Sequence, residues 1–153
     1  MDLKRPYMFE KRSSELMERC MQLATLSEGV AVGALIANPK GEIVAEGLND
    51  RSSPFLHAEA IAMRLAEKKL GVAGFMDCTL FCTLEPCPMC AGAALIFKVG
   101  RIVFGAWDEA QGACGSVWDI PRHGKGGWKA EVVGGFKSKE CSKILKESFK
   151  KMR

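Results

Sequence analysis

The sequence predicts an α/β fold, a mixed β-sheet covered by helices, and three observations point there. The chain has 153 residues and is 48% apolar, enough to build a core without disulfides. Two apolar β-rich runs, residues 31–37 and 43–48, are separated by a turn sequence that makes them a hairpin. Beyond the hairpin, helix-forming and strand-forming stretches alternate, with no repeat, low-complexity segment or evident linker. One domain over residues 1–153 is the expectation.

Residues 14–27 read as a helix with Leu16, Met17, Cys20, Leu23 and Ala24 on one face. Gly29 releases the chain into an apolar strand, residues 31–37, which Asn38-Pro39-Lys40-Gly41 turns into a second strand, residues 43–48. Residues 57–70 have helix-forming composition and stop before Gly71. Residues 79–83 form a short strand, and Pro86-Cys87-Pro88 leads into a helix over residues 89–98. A proline in a helix's first turn costs nothing there, because its missing N–H would have no partner. Residues 101–105 and 130–133 supply two further strands.

Seven cysteines cannot all pair within one chain, and the N-terminal MDLKRPYMFEKR carries no export-type apolar stretch, so a reducing cytoplasm is the expected compartment. The longest apolar runs, residues 29–37 and 90–97, fall short of the ~18 residues a membrane span needs. No membrane association is expected. Charge is concentrated at one end: seven basic and two acidic residues lie from Lys137 to Arg153, giving +5 against −1 for the rest. There Cys141, Ile144, Leu145, Ser148 and Phe149 follow helical spacing, while Lys139, Lys143, Lys146 and Lys150 form a second stripe. That stripe reads either as a solvated outer face or as a phosphate-facing surface.

The stretch CTLEPCPMC, residues 82–90, sets Cys87 and Cys90 three apart. On a first helical turn both sulfurs project to one side, and the helix dipole favours their thiolates. A redox dithiol, a closed structural zinc site and a catalytic metal site all use such a pair. The dithiol usually follows an early strand, whereas this pair comes past the middle of the chain. The closed site needs a fourth ligand, and no second Cys-x-x-Cys exists. Cys82 or Cys114 could supply one, although neither has knuckle spacing. The third reading adds His57-Ala58-Glu59, with 26 residues between it and Pro86. His-x-Glu followed by Pro-Cys-x-x-Cys resembles the signature of the zinc nucleobase deaminases. One imidazole and two thiolates leave a fourth zinc position for water, whose pKa the metal lowers toward ~7. Glu59, two residues past the ligand, could then carry protons between that water, the base and the departing ammonia.

Over nearly its whole length the chain resembles the cytidine deaminase-like superfamily, and within it the bacterial tRNA-specific adenosine deaminases. The matching stretches are VAVGALI (30–36), GLN (47–49), HAE (57–59), TLFCTLEPCPMCAGAAL (79–95), GRIVFGAWDEAQGACGS (100–116) and ECSKIL (140–145). The resemblance implies a three-layer α/β/α fold with a central mixed five-stranded sheet, one Zn2+ per subunit, and a homodimer with active sites near the subunit interface. By the same resemblance, His57, Cys87 and Cys90 are expected to bind the zinc and Glu59 to shuttle protons. Asn49 is expected to hydrogen-bond the purine ring, and the Ala58 N–H to contact the base edge where the leaving group sits. The expected reaction is adenosine-to-inosine conversion at the tRNA wobble position, with the anticodon loop as partner.

Two segments depart from that family's pattern. Ser53-Pro54-Phe55-Leu56 stands where Asp-Pro-Thr-Ala is usual, and Gly127-Trp128-Lys129 where Asn-His-Arg is usual. Deamination of a free base or nucleoside (cytosine, guanine or adenine) would account for both departures. A noncatalytic RNA-binding module stabilised by zinc is the competing class. The cations, glycines and indole of RHGKGGWK, residues 122–129, suit base stacking and phosphate pairing, and Trp128 suits the core beside the last strand equally well. Cys82 is expected as a small apolar filler, and Trp107 and Trp118 as packing residues. Cys114 has no expected role. Arg5, Lys11 and Arg12 could join an RNA surface.

Overall fold

The computed structural model describes residues 5–123 and 127–152, with side chains from Lys11 onward. Gly124, Lys125 and Gly126 of the basic loop and the side chain of Arg5 lie outside the described residues. Among the described residues five helices and five strands follow in the order α1 (Arg5–Thr25), β1 (Gly33–Ala37), β2 (Ile43–Leu48), α2 (Ala58–Leu70), β3 (Thr79–Leu84), α3 (Pro88–Ile96), β4 (Arg101–Ala106), α4 (Ile120–His123), β5 (Glu131–Val133) and α5 (Ser138–Lys151). A 3-10 turn, Val72–Phe75, joins α2 to β3.

The strands form one mixed sheet in the order β2-β1-β3-β4-β5. β1 is antiparallel to β2 and to β3, whereas β3, β4 and β5 run parallel. The hairpin turn is held by Asn38, whose Oδ1 accepts the N–H groups of Lys40 and Glu42 at 3.0 and 2.9 Å.

Side-chain alternation along each strand produces three layers. Ala34 and Ile36 of β1, Leu80 and Cys82 of β3, and Ile102 and Phe104 of β4 face one side. There they pack with Ala58, Ala62, Met63 and Ala66 of α2 and Ala91 and Ala94 of α3. Leu35, Ala37, Phe81 and Val103 face the other, against Leu16, Met17 and Cys20 of α1 and Cys141 of α5. Both faces being covered explains why β1 is buried at every position. The three-layer α/β/α expectation, with a mixed five-stranded sheet, holds.

Element boundaries differ from the sequence reading for local reasons. Helix α1 starts at Arg5 rather than near Ser14, with Pro6 inside its first turn, where a proline is tolerated. Ser13 is buried within the helix and does not cap it. Strand β1 starts at Gly33 rather than Ala31, because the Ala31 N–H donates to Ser148 Oγ of α5 and the Val32 N–H to the Val30 carbonyl. Helix α3 begins at Pro88 and ends at Ile96, two residues before Lys98, which adopts φ 58°. The 3-10 turn and α4 have no counterpart in the sequence reading. Helix α5 agrees with it up to Ser148: Cys141 is buried, Ile144, Leu145 and Ser148 half-buried, and Lys139, Lys143, Lys146 and Lys150 exposed, whereas Phe149, expected on the apolar stripe, is exposed in the last turn.

Candidate active site

The parallel strands β3 and β4 end on one side of the sheet, and the chain leaving β3 turns at once into α3. Cys87 is the N-cap of α3, Pro88 its first residue and Cys90 its third. On the neighbouring helix, His57 is the N-cap of α2 and Glu59 lies in its first turn. Gly47 of β2 makes this placement possible, since a Cβ there would overlap the Ala58 carbonyl oxygen. The first turn of α2 therefore rests directly on the β2 backbone, and two helix N-termini meet above the sheet.

His57 Nδ1 stands 3.5 Å from Cys87 Sγ and 3.6 Å from Cys90 Sγ. The three ligand atoms lie within 4.8 Å of one another and could hold one metal ion, the only such group among the described residues. The Cys90 thiol, donating to Cys87, lowers the Cys87 thiol from 9.0 to about 5, while Cys90, left holding the proton, is raised. Two sulfurs sharing one proton in this way fit a soft cation that would take the proton's place. The other five cysteines are all raised, chiefly by burial, which makes Cys87 the one thiol poised to ionise.

Glu59 is 4% exposed. Burial raises its carboxyl from 4.5 to about 7, opposed by its own backbone N–H and by His57. A carboxyl poised near neutrality can both accept and give a proton at working pH.

Asn49, expected at the substrate, forms part of the scaffold. Its Oδ1 accepts the Ala58 N–H at 2.8 Å and its Nδ2 donates to the Val30 carbonyl at 3.3 Å. The side chain thus caps α2 in place of His57, whose own side chain makes no cap bond. The two groups expected to meet the base are bonded to each other. Asn49 retains a second amide hydrogen and a second lone pair, whereas the single Ala58 hydrogen is already engaged.

Between Asn49 and His57 the loop is closed by hydrogen bonds from the Asp50 N–H to the Leu56 carbonyl and from the Leu56 N–H to the Ser53 carbonyl, leaving Phe55 71% exposed. Trp128 is half-buried and its Nε1 donates to the Val99 carbonyl at 2.8 Å, which anchors the indole to the lead into β4. Trp107 sets its ring edge-on to Phe104 yet is half-exposed, as is Trp118. Cys82 is fully buried among apolar side chains, as a filler would be.

Glu85 escaped the sequence reading. It is 1% exposed, two residues before Cys87, and its carboxylate accepts hydrogen bonds from the N–H groups of Asp108, Cys114 and Ser116 and from the Ser116 hydroxyl. A charged residue closing an otherwise apolar strand was the available signal.

A His-Cys-Cys group beside a buried carboxyl, at the ends of parallel strands, has the donor set of a zinc-binding deaminase domain. Residues 10–106 match the family model of the cytidine and deoxycytidylate deaminase zinc-binding region, and the chain belongs to that family, within the cytidine deaminase-like superfamily. It is 37% identical over 145 residues to a tRNA-specific adenosine deaminase of Haemophilus influenzae, across 91% of this chain and 84% of that one. It is 42% identical over 135 residues to a tRNA(Ile)-lysidine synthase of Deinococcus radiodurans. That match takes in 86% of this chain and spans 23% of the relative's length. A solved structure from work on A-to-I editing by tRNA:A34 deaminases at the wobble position superposes with a TM-score of 0.79 at 27% identity, over 86% of this chain and 99% of that one.

Proposed function

We propose that the protein hydrolyses the 6-amino group of adenosine to give inosine at the wobble position of a tRNA anticodon loop, and that it works as a cytoplasmic homodimer. The observation that carries this reading is the meeting of His57, Cys87 and Cys90 with buried Glu59, in a chain whose similar proteins include tRNA-specific adenosine deaminases. His57, Cys87 and Cys90 would hold the zinc, which when bound would supply a water acidic enough to act as a nucleophile near neutral pH. Glu59 would take one proton of the attacking water on a carboxylate oxygen and pass it to the ring nitrogen beside the attacked carbon, then take the second from the hydroxyl left on that carbon and give it to the departing amine. Burial of Glu59 excludes bulk water from these transfers. Asn49 holds the first turn of α2 in register through Ala58 and uses its remaining hydrogen-bonding capacity on the purine ring.

Asn49→Ala is expected to lower kcat/KM at least tenfold and to cost about 1 kcal/mol of stability, as loss of a helix cap does. Steady-state kinetics and thermal melts check it.

Two surface features support a macromolecular substrate and a second subunit. Lys139, Lys143, Lys146 and Lys150 line a shallow groove along α5 with Ser138, Ser142 and Glu147, four cations against one carboxylate, a balance suited to phosphates. Helix α3 exposes Met89 and Ile96, seven residues apart on one face, as a subunit contact would. Among the described residues no helix is long and apolar enough to cross a membrane.

The test compares an anticodon stem-loop bearing adenosine at the wobble position with free bases and nucleosides, using the native protein and a Lys143→Gln, Lys146→Gln, Lys150→Gln variant. We expect inosine in the stem-loop, roughly tenfold loss of kcat/KM in the variant, and a shallower dependence of log KM on log salt concentration. Turnover confined to free bases and indifferent to the three lysines would overturn the tRNA substrate.

A further inference from the structure

We infer that Glu85 is a positioning residue for the metal centre: its buried carboxylate clamps the turn that carries Cys87 to the loop of residues 107–118, so that the sulfur and the wall beside it hold one geometry. The inference rests on the zinc deaminase reading above.

Strand β3 pairs with β4 up to Leu84 and Ala106. The next backbone bond, from the Glu85 N–H to the Ala106 carbonyl at 2.8 Å, extends that pairing. Beyond it the strands part, and the Glu85 side chain takes over. Oε1 accepts the Asp108 N–H at 3.1 Å and the Ser116 hydroxyl, while Oε2 accepts the Cys114 and Ser116 N–H groups, each at 3.0 Å. The Ala113 N–H then reaches back to the Pro86 carbonyl at 2.8 Å. Only Pro86, with its fixed φ, separates the clamped residue from Cys87, so a displacement of Glu85 passes to the ligand. On the loop side, Ala113 and Cys114 are fully buried in the same cluster as Ala58 and Ala91, residues of the two helices that carry the ligands.

The chemistry requires a carboxylate. Both oxygens face at least one backbone N–H, so whichever way a glutamine amide is turned, its NH2 meets a donor and strands it in the interior. Space is equally specified: a Cβ on Gly112 would overlap the Glu85 carboxylate. An anion sunk this deeply would be costly without its donors, and four of them converge on it. Loss of an outer group that orients a ligand typically costs about 10–100-fold in metal affinity.

The experiment measures zinc transfer from the loaded native protein to a chromophoric chelator, and KM and kcat per bound zinc. Glu85→Gln and Ser116→Ala are compared with Phe75→Leu, a core change at the opposite end of β3. All three are read against their melting temperatures. We expect about 10-fold faster zinc transfer and a raised KM in Glu85→Gln, a smaller change in the same direction in Ser116→Ala, and native values of both in Phe75→Leu despite its lowered melting temperature. Equal zinc transfer and KM in Glu85→Gln and Phe75→Leu would reduce Glu85 to a stability residue and overturn the inference. If Glu85→Gln does not fold, Ser116→Ala decides, since it keeps the carboxylate and removes one donor; native zinc transfer there overturns the inference. Zinc transfer needs no substrate, so its result stands apart from whether tRNA is the substrate.

Discussion

Glu59→Gln is expected to lower turnover by about 10²–10⁴-fold with zinc still bound, because the amide fills the same buried space but cannot take up and return protons. The same substitution should have a visible effect on metal-free protein. Burial holds the Glu59 carboxyl at about 7 in the folded chain against 4.5 in the unfolded one. The folded state therefore binds the proton more tightly, and its contribution to stability is complete below pH 4.5 and lost as pH rises through 7. Both metal-free proteins share the contribution of Cys87, whose lowered thiol adds stability as pH rises above about 5, so the Glu59 contribution is read as a difference. Metal-free native protein should lose melting temperature relative to metal-free Glu59→Gln as pH rises from 4.5 through 7, and be the less stable of the two at pH 8. A stability–activity trade at one residue is what a buried catalytic acid predicts, whereas a carboxylate that merely complements the α2 dipole would show the opposite sign.

Cys90→Ala is expected to abolish both zinc binding and turnover while leaving the fold intact. Cys90 is fully buried at the third position of α3 among Ala91 and Ala94, so alanine suits the helix and leaves only a small void. What it removes is one of three converging ligand atoms and the partner that lowers Cys87. Zinc content by atomic absorption should fall to background, far-UV circular dichroism should be unchanged, and Cys87 should lose its reactivity toward alkylating agents at pH 6–7 in metal-free protein. Retained zinc in this variant would mean that the metal sits elsewhere.

The features legible from sequence were those that depend on neighbours in the chain. The stripe of Cys141, Ile144 and Leu145 against the lysines of α5, the Asn38-Pro39-Lys40-Gly41 turn, and the cysteine pair behind Pro86 each carry their cause within a few residues. The pairing of His57 with Cys87 and Cys90 spans 30 and 33 residues, yet it too was legible, because that spacing of metal-binding side chains is rare by chance. The unread features depend on contacts that spacing does not encode. The Glu85 carboxylate finds its donors 23 to 31 residues away, on backbone N–H groups that any sequence would offer. The same holds for the cap that Asn49 makes on α2, and for Trp128, whose anchoring turns on one carbonyl at Val99. The start of α1 at Arg5 was not legible because the apolar spacing that marks the helix begins only at Leu16, and the polar residues before it, the buried Ser13 included, lie within a helix that has already begun.

Hydrolysis of an adenine amino group in RNA at the site of His57, Cys87, Cys90 and Glu59 is tested most directly by incubating the zinc-loaded protein with the adenosine-bearing anticodon stem-loop in ¹⁸O-labelled water, and measuring ammonia together with the mass of the nucleoside recovered from the wobble position. We expect one ammonia released per inosine formed, with the heavy oxygen in the inosine base. Tight binding of the stem-loop with no ammonia and unaltered adenosine would contradict it, and would leave a zinc-stabilised RNA-binding protein in place of an enzyme.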